Sequence, residues 1–198
     1  AWSSPVCTPM RAGMMSGMYG SKNGVKTIPG NLDTTYTSLL KAIKIANPIY
    51  TTAVTGKWHI SRPANALHPI WHGADHYMGV LQGGVNAYDN WDKTENNITG
   101  NSTDYATTYF TNDAINWINI QNNPWFMWLA HIAPHSPFHI PPANMFTQPS
   151  TNSQLKKYLA MIESLDYEVG RMLDSLSPSD KANTTIIFIG DNGTPNNV

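Results

Sequence analysis

Cysteine is almost absent from this chain: Cys7 is the only one among 198 residues. A single thiol excludes a disulfide within the chain, although this leaves the cellular compartment open, because exported proteins need not contain one. A lone cysteine has four interpretations, namely a small buried apolar residue, a free thiol, a metal ligand or a catalytic group. The residues around it must decide between them.

Charge is also scarce, since Asp, Glu, Lys and Arg together make up 13% of the residues and the net charge is −1. A nearly neutral chain has no electrostatic attraction for nucleic acid or for an anionic membrane, so we expect neither as a partner. No apolar run reaches the roughly 18 residues that a membrane-spanning helix needs. No signal peptide is recognisable at Ala1, and internal repeats are absent.

Apolar residues, by contrast, are plentiful at 41%, enough for a substantial core in one domain or a large part of one. Apolar periodicity and breakers predict helices over Met10–Tyr19, Thr34–Ile45, Thr103–Asn122 and Gln154–Leu176. Strands are predicted over Tyr50–Val54, which Gly56 would close, over Trp125–Ala133, buried on both faces, and over Thr184–Gly193. This alternation predicts an α/β fold, an α/β/α sandwich around a mostly parallel sheet.

Four short polar motifs lie beside these elements. They are CTPMR (7–11) at the start of a helix, and GKWH (56–59), HIAPHSP (131–137) and DNG (191–193), each after a strand. Each alone has an ordinary explanation as a turn, a surface segment or a structural histidine. Because open α/β sheets carry their chemistry at the carboxyl ends of the strands, we expect His59, His135 and Asp191 to lie at one edge.

The motifs, taken in this order, resemble the signatures of the formylglycine-dependent sulfatases of the alkaline-phosphatase superfamily. CTPMRAGMMSG, GKWH, PHSP and GDNG carry the resemblance, which covers nearly the whole chain, including the helix around 158–176. It implies an alkaline-phosphatase-like sandwich. It also implies that residues 1–198 are part of the N-terminal catalytic domain. Family members place a strand with two metal-binding aspartates before the cysteine motif and a smaller C-terminal domain after it, so we expect a fragment incomplete at both ends.

The resemblance answers the question that Cys7 raises. In such sulfatases a formylglycine-generating enzyme oxidises this cysteine to an aldehyde and recognises the proline and arginine that follow. One hydroxyl of the hydrated aldehyde attacks sulfur and the other later expels sulfate, so that one difficult step becomes two easier ones. Met10 departs from the family, which usually has Ser, Thr or Ala there, but the Cys-x-Pro-x-Arg pattern is kept.

The implied reaction is hydrolysis of an alkyl, aryl or carbohydrate sulfate ester, and the implied roles follow from position. Arg11 would hold the diol and Lys57 would bind the sulfate. His59 would deprotonate the second hydroxyl, and His135 would contact the sulfate and help to protonate the leaving alcohol.

The resemblance also implies a divalent metal bound by Asp191 and Asn192. Hard oxygen ligands favour Ca²⁺, with Mg²⁺ the less favoured choice. By the same resemblance we expect a periplasmic or secreted protein. Two alternatives stay open: a phosphodiester or phosphonate monoester hydrolase of the same superfamily, and a non-catalytic fragment that keeps only the fold.

Two further patterns have competing interpretations. His68, His72 and His76 are spaced by four, as in a helical zinc site, but the proline and glycine among them favour a loop on the substrate side. Tyr88 and Trp91 could stack on a sugar ring or belong to the core.

Overall fold

The computed structural model describes residues 4–62, 65–147 and 153–193. The strands are β1 (Thr51–Lys57), β2 (His76–Val80), β3 (Trp91–Glu95), β4 (Ile98–Ser102) and β5 (Trp125–Ala130). The helices are α1 (Cys7–Ser16), α2 (Gly20–Asn23), α3 (Leu39–Ala46), α4 (His68–Trp71), α5 (Ala106–Asn119), α6 (Gln154–Ser175) and α7 (Pro178–Asn183), with a 3₁₀ turn at Ala143–Met145. Within the described ranges, no helix is long and apolar enough to cross a membrane.

The five strands form one mixed sheet in the order β4-β3-β2-β1-β5. β1 runs parallel to both of its neighbours, β2 and β5. β3 is antiparallel to β2 and forms a hairpin with β4, whose turn uses positive φ angles at Asn96 and Asn97. The parallel centre brings the carboxyl ends of β1, β2 and β5 to one edge.

Two apolar clusters lie on opposite faces of this sheet, which confirms the sandwich. Consecutive strand residues point to opposite faces, so Tyr77 and Met78 of β2 belong to different clusters. The first cluster contains Met15 of α1 and Leu40 of α3. The second contains Phe110 of α5 and residues of α6. The expected α/β class is therefore correct.

Gly56 lies inside β1 and does not close it, so the predicted end of this strand was wrong. Its φ is +106°, a conformation that side-chain-bearing residues rarely adopt. A Cβ built on Gly56 would lie 2.1 Å from the carbonyl oxygen of Ala130, and one on Gly79 would lie 1.8 Å from the carbonyl oxygen of Gly56. Because Gly56 and Gly79 have no side chains, β1, β2 and β5 approach one another closely, and β1 continues to Lys57.

Two predicted helix starts were also displaced. α1 begins at Cys7 and not at Met10, because Pro9 is compatible with the first turn of a helix. α3 begins at Leu39 and not at Thr34, because the Ser38 side chain accepts a hydrogen bond from the backbone N–H of Lys41 and so caps the helix there. The ranges of α5 and α6 lie close to their predictions.

The predicted strand over Thr184–Gly193 is not a strand in the structure. Residues 184–190 pair with no strand of the described chain, and Ile187 and Phe188 are 75% and 78% exposed. A strand forms only where a neighbouring backbone offers hydrogen-bonding groups, and the described sheet ends at β5. β5 is for the same reason an edge strand, half-buried along most of its length and not covered on both faces as predicted.

Candidate active site

Cys7 is the first residue of α1 and is half-buried. Val6 before it is extended, so the thiol lies where the first N–H groups of the helix have no intrahelical acceptor. The Lys57 ammonium is close enough to Cys7 for the two groups to interact electrostatically. A helix N-terminus and an ammonium together favour negative charge at this point.

Arg11 follows one turn later and joins α1 to the end of β1. Its guanidinium donates from Nε to the carbonyl oxygen of Trp58 at 2.9 Å and from a second nitrogen to the carbonyl oxygen of Lys57. It also lies 4.6 Å from the centre of the Trp128 ring and is only 3% exposed. Burial lowers the pKa of Arg11 to about 10, which leaves it cationic at neutral pH.

Lys57 is the last residue of β1 and is also buried. Burial is the main cause that lowers its pKa, and the Arg11 charge acts in the same direction, whereas Cys7 and Asp191 oppose the shift. Two cationic side chains therefore lie side by side at the carboxyl edge of the sheet. A site of this kind binds a small anion.

His59 lies two residues beyond β1 with a left-handed backbone, φ 56°. Burial lowers its pKa to about 4, with further lowering by the charges of Lys57 and Arg11. The imidazole is therefore neutral at pH 7 and free to accept a proton. The buried Thr8 hydroxyl lies 3.3 Å from both ring nitrogens and so places α1 against this ring.

Two glycines that lie outside the four sequence motifs make room for the histidines. A Cβ on Gly83 would lie 2.7 Å from Cε1 of His59, and a Cβ on Gly84 would lie 3.1 Å from Nδ1 of His135. These consecutive glycines in the loop after β2 allow the two rings to lie at neighbouring positions. The glycine pair in LQGGV was the available signal, since such pairs mark close approaches to the backbone.

His135 lies in the loop after β5, and its side chain is exposed. Its Nδ1 is 2.8 Å from the carbonyl oxygen of Ser136, and its own carbonyl oxygen accepts a hydrogen bond from the Tyr88 hydroxyl at 2.7 Å. Tyr88 is 3% exposed and Trp91 2% exposed. Neither ring is open to a sugar, so the core interpretation of this pair is the correct one.

Asp191 reaches the same cluster without a strand to carry it. Its carboxylate lies 3.7 Å from the Arg11 guanidinium. Asn192 is exposed, and its side-chain amide donates to the carbonyl oxygen of Gly193 at 3.1 Å. The structure thus brings together Cys7, Arg11, Lys57, His59, His135 and Asp191, with Asn192 beside them at the surface.

A family model described as Sulfatase matches residues 1–197. The chain belongs to the sulfatase family. Among curated relatives, N-acetylgalactosamine-6-sulfatase of Mus musculus is 26% identical over 96% of this chain and 42% of its own length. Arylsulfatase G of Rattus norvegicus is 25% identical over 96% and 43%. The uncharacterized sulfatase YdeN of Escherichia coli is 28% identical over 95% and 39%. The chain thus spans about two fifths of these relatives.

Solved structures share this fold. The crystal structure of Ps i-CgsB is 25% identical with a TM-score of 0.75, covering 89% of this chain and 46% of that one. BT4656, solved in complex with its substrate D-glucosamine-2-N,6-O-disulfate, is 25% identical with a TM-score of 0.60, covering 74% and 30%. The alkaline-phosphatase-like sandwich expected from the motifs is confirmed.

The donors around Asp191 suit a hard divalent ion in kind but not in number. The described residues contain no group of three or more His, Cys, Asp or Glu side chains placed to hold a metal. Calcium takes about six to eight oxygen ligands, and Asp191 with Asn192 provides one carboxylate and one amide. These two residues do not by themselves form a calcium site.

Two of the three spaced histidines are core residues and the third lies in β2, so the loop interpretation was wrong. His68 and His72 are fully buried with ring centres 4.5 Å apart, and His68 begins the short helix α4. Nδ1 of His68 accepts a hydrogen bond from the Trp58 indole at 2.9 Å, which holds the segment between Lys57 and His59. His76 is directed to Asp113 at 3.0 Å, which separates it from the other two.

Proposed function

We propose that the intact protein is a sulfuric ester hydrolase whose nucleophile is a formylglycine made from Cys7. The observation that carries the proposal is the position of Cys7. It lies at a helix N-terminus, within electrostatic reach of Lys57 and one turn before the buried Arg11. Membership of the sulfatase family supports the same reaction.

The cations of the site match the charge of the substrate. A sulfate ester carries one negative charge, and further charge develops on the leaving oxygen in the transition state. Lys57 is the group that would contact the sulfate oxygens, since its ammonium is already beside position 7. Arg11 would contribute its charge and hold Lys57 in place through the backbone carbonyl, because its guanidinium is engaged there.

The two histidines differ in exposure, and this supports different proton-transfer roles. His59 is neutral at pH 7 and half-buried, which suits a base that removes the proton of the second hydroxyl for sulfate release. His135 is exposed at the mouth of the site, where a leaving alcohol departs, which suits an acid that protonates it. Formylglycine at position 7 would supply the hydrated aldehyde on which both act.

We propose in addition that Asp191 and Asn192 supply two oxygen ligands of a calcium site completed by other groups. The support is the placement of the Asp191 carboxylate beside Arg11, within the cluster that holds Cys7. The proposed substrate is a carbohydrate sulfate, because relatives named for N-acetylgalactosamine-6-sulfate hydrolysis and a structure bound to a glucosamine disulfate lie among the matches. Export to the periplasm or beyond stays a prediction.

The test uses the intact protein produced with and without a formylglycine-generating enzyme. Mass spectrometry of the Cys7 peptide reports conversion, and sulfate release from aryl and sugar sulfates reports activity. We expect activity only in the converted protein, and Cys7→Ser should lower turnover by several orders of magnitude at unchanged circular dichroism, because a serine sulfate ester has no second hydroxyl to expel sulfate.

Two results would overturn the proposal. Unconverted protein or Cys7→Ser with the turnover of the converted protein would remove the formylglycine mechanism. Faster hydrolysis of phosphodiesters or phosphonate monoesters than of every sulfate ester tried would assign the other reaction of the superfamily.

A further inference from the structure

Tyr88 holds the backbone of His135 from inside the protein. The Tyr88 hydroxyl donates a 2.7 Å hydrogen bond to the carbonyl oxygen of His135. The carbonyl oxygen of Tyr88 in turn accepts from the N–H of Ala106, the first residue of α5, at 2.7 Å. A buried tyrosine anchored at the start of a 14-residue helix therefore fixes one point of an otherwise exposed loop.

The same ring contacts this loop at a second point. The Tyr88 ring centre lies 4.3 Å from that of His139, four residues after His135. His139 is itself held by Tyr105, whose hydroxyl lies 3.1 Å from Nε2 of His139. The segment after β5 is thus fixed to the second core cluster at two residues, His135 and His139.

The His135 ring is confined from its other side by Gly84. A Cβ at position 84 would lie 3.1 Å from Nδ1 and 3.3 Å from Cε1 of the ring, so the glycine backbone packs closely against the imidazole. Nδ1 faces the carbonyl oxygen of Ser136 at 2.8 Å. With Nδ1–H donated to that carbonyl, Nε2 is the free nitrogen, and it donates to the leaving oxygen when the ring carries both protons. Backbone and ring of this exposed residue are both restrained.

We propose that Tyr88 is a positioning residue for His135, required for protonation of the leaving alcohol. The inference rests on the proposed sulfatase function and deepens it. A general acid works only when its proton lies within hydrogen-bonding reach of the leaving oxygen, so freedom of the loop backbone lowers the rate. The dependence of the rate on the leaving group separates this role from a structural one. The phenolate of an aryl sulfate leaves as a stable anion and needs little protonation, whereas the alcohol of an alkyl or sugar sulfate must be protonated as it leaves.

The test compares Tyr88→Phe with wild type in the intact enzyme, with turnover normalised to the fraction of Cys7 converted. We expect kcat on an alkyl or sugar sulfate to fall about tenfold or more and kcat on 4-nitrophenyl sulfate to change little, because general acid catalysis contributes factors of this size and larger. Tyr36→Phe is the matched control, since Tyr36 also donates its hydroxyl to a backbone carbonyl, that of Lys22, at 3.2 Å. It should leave both rates unchanged.

Gly84→Ala provides an independent variant that keeps every buried hydroxyl. The added methyl displaces the His135 ring, and we expect the same selective loss on the poorer leaving group. Equal losses on both substrates, or no loss on either, in Tyr88→Phe would overturn the positioning role of Tyr88. The same result in Gly84→Ala would show that the position of the His135 ring does not govern protonation of the leaving alcohol, and this would also overturn the proposal. Failure of wild type to release sulfate from any ester would instead overturn the proposed function, so the two failures are distinguishable.

Discussion

Replacing Arg11 by methionine should destabilise the fold, quite apart from any loss of catalysis. Arg11 is 3% exposed and donates to the carbonyl oxygens of Lys57 and Trp58, which belong to buried residues. Methionine fills a similar volume above Trp128 but donates nothing, so two buried carbonyls lose their partner. An unsatisfied buried acceptor costs about 1 to 3 kcal/mol.

Burying the Arg11 charge carries a desolvation cost that methionine avoids. This difference offsets part of the stability lost in Arg11→Met. We therefore expect the free energy of unfolding to fall by about 2 to 4 kcal/mol. Arg11→Lys should lie between wild type and Arg11→Met, since an ammonium keeps the charge but cannot place two donors in the guanidinium's fixed geometry.

Urea denaturation of the intact protein measures the effect as a shift of the midpoint at constant slope. Arg62→Met is the control, because Arg62 is exposed and surface substitutions usually stay within about 0.5 kcal/mol. Arg11→Met as stable as Arg62→Met would refute the reasoning, and the role of Arg11 would then be confined to the substrate and to maturation.

Two further predictions concern protons and metal. The pH profile of kcat should have its acid limb below pH 6.5, because burial and the neighbouring cations lower the pKa of His59 to about 4 in the free site and only the neutral imidazole accepts a proton; a limb centred at or above 6.5 would contradict the assignment. Calorimetric titration with Ca²⁺ should show binding to the intact protein that Asp191→Ala weakens about tenfold or more, because a carboxylate ligand is lost. Asp174→Ala, which removes an exposed carboxylate of α6, should bind as wild type does, and equal affinities for the two variants would remove Asp191 from the metal site.

Local sequence was enough to predict the longer helices and two strands of the sheet. α6 keeps its apolar periodicity over many turns, and it forms within one residue of the predicted range. The motif residues could be assigned to one edge because polar residues that follow parallel strands share that edge, whatever the details of packing. Their positions in the chain grouped His59, His135 and Asp191, although no strand leads to Asp191 in the structure, and family resemblance added Cys7, Arg11 and Lys57.

Several features of the site depended on contacts distant in sequence. Gly83 and Gly84 are ordinary glycines until the rings of His59 and His135 are packed against them. Tyr88 fitted a sugar platform as well as a core residue, and its burial in the folded chain distinguishes the two.

The amino-acid sequence by itself determined the family, the α/β class and the residues of the candidate site, because motifs and periodicity are properties of neighbouring residues. Only the tertiary structure decided which side chains are buried and which strands pair. His68 and His72 became core residues because Trp58 and Leu32 surround them with partners. Residues 184–190 have the composition of a strand but no described strand beside them, and a strand exists only through the hydrogen bonds of its neighbour.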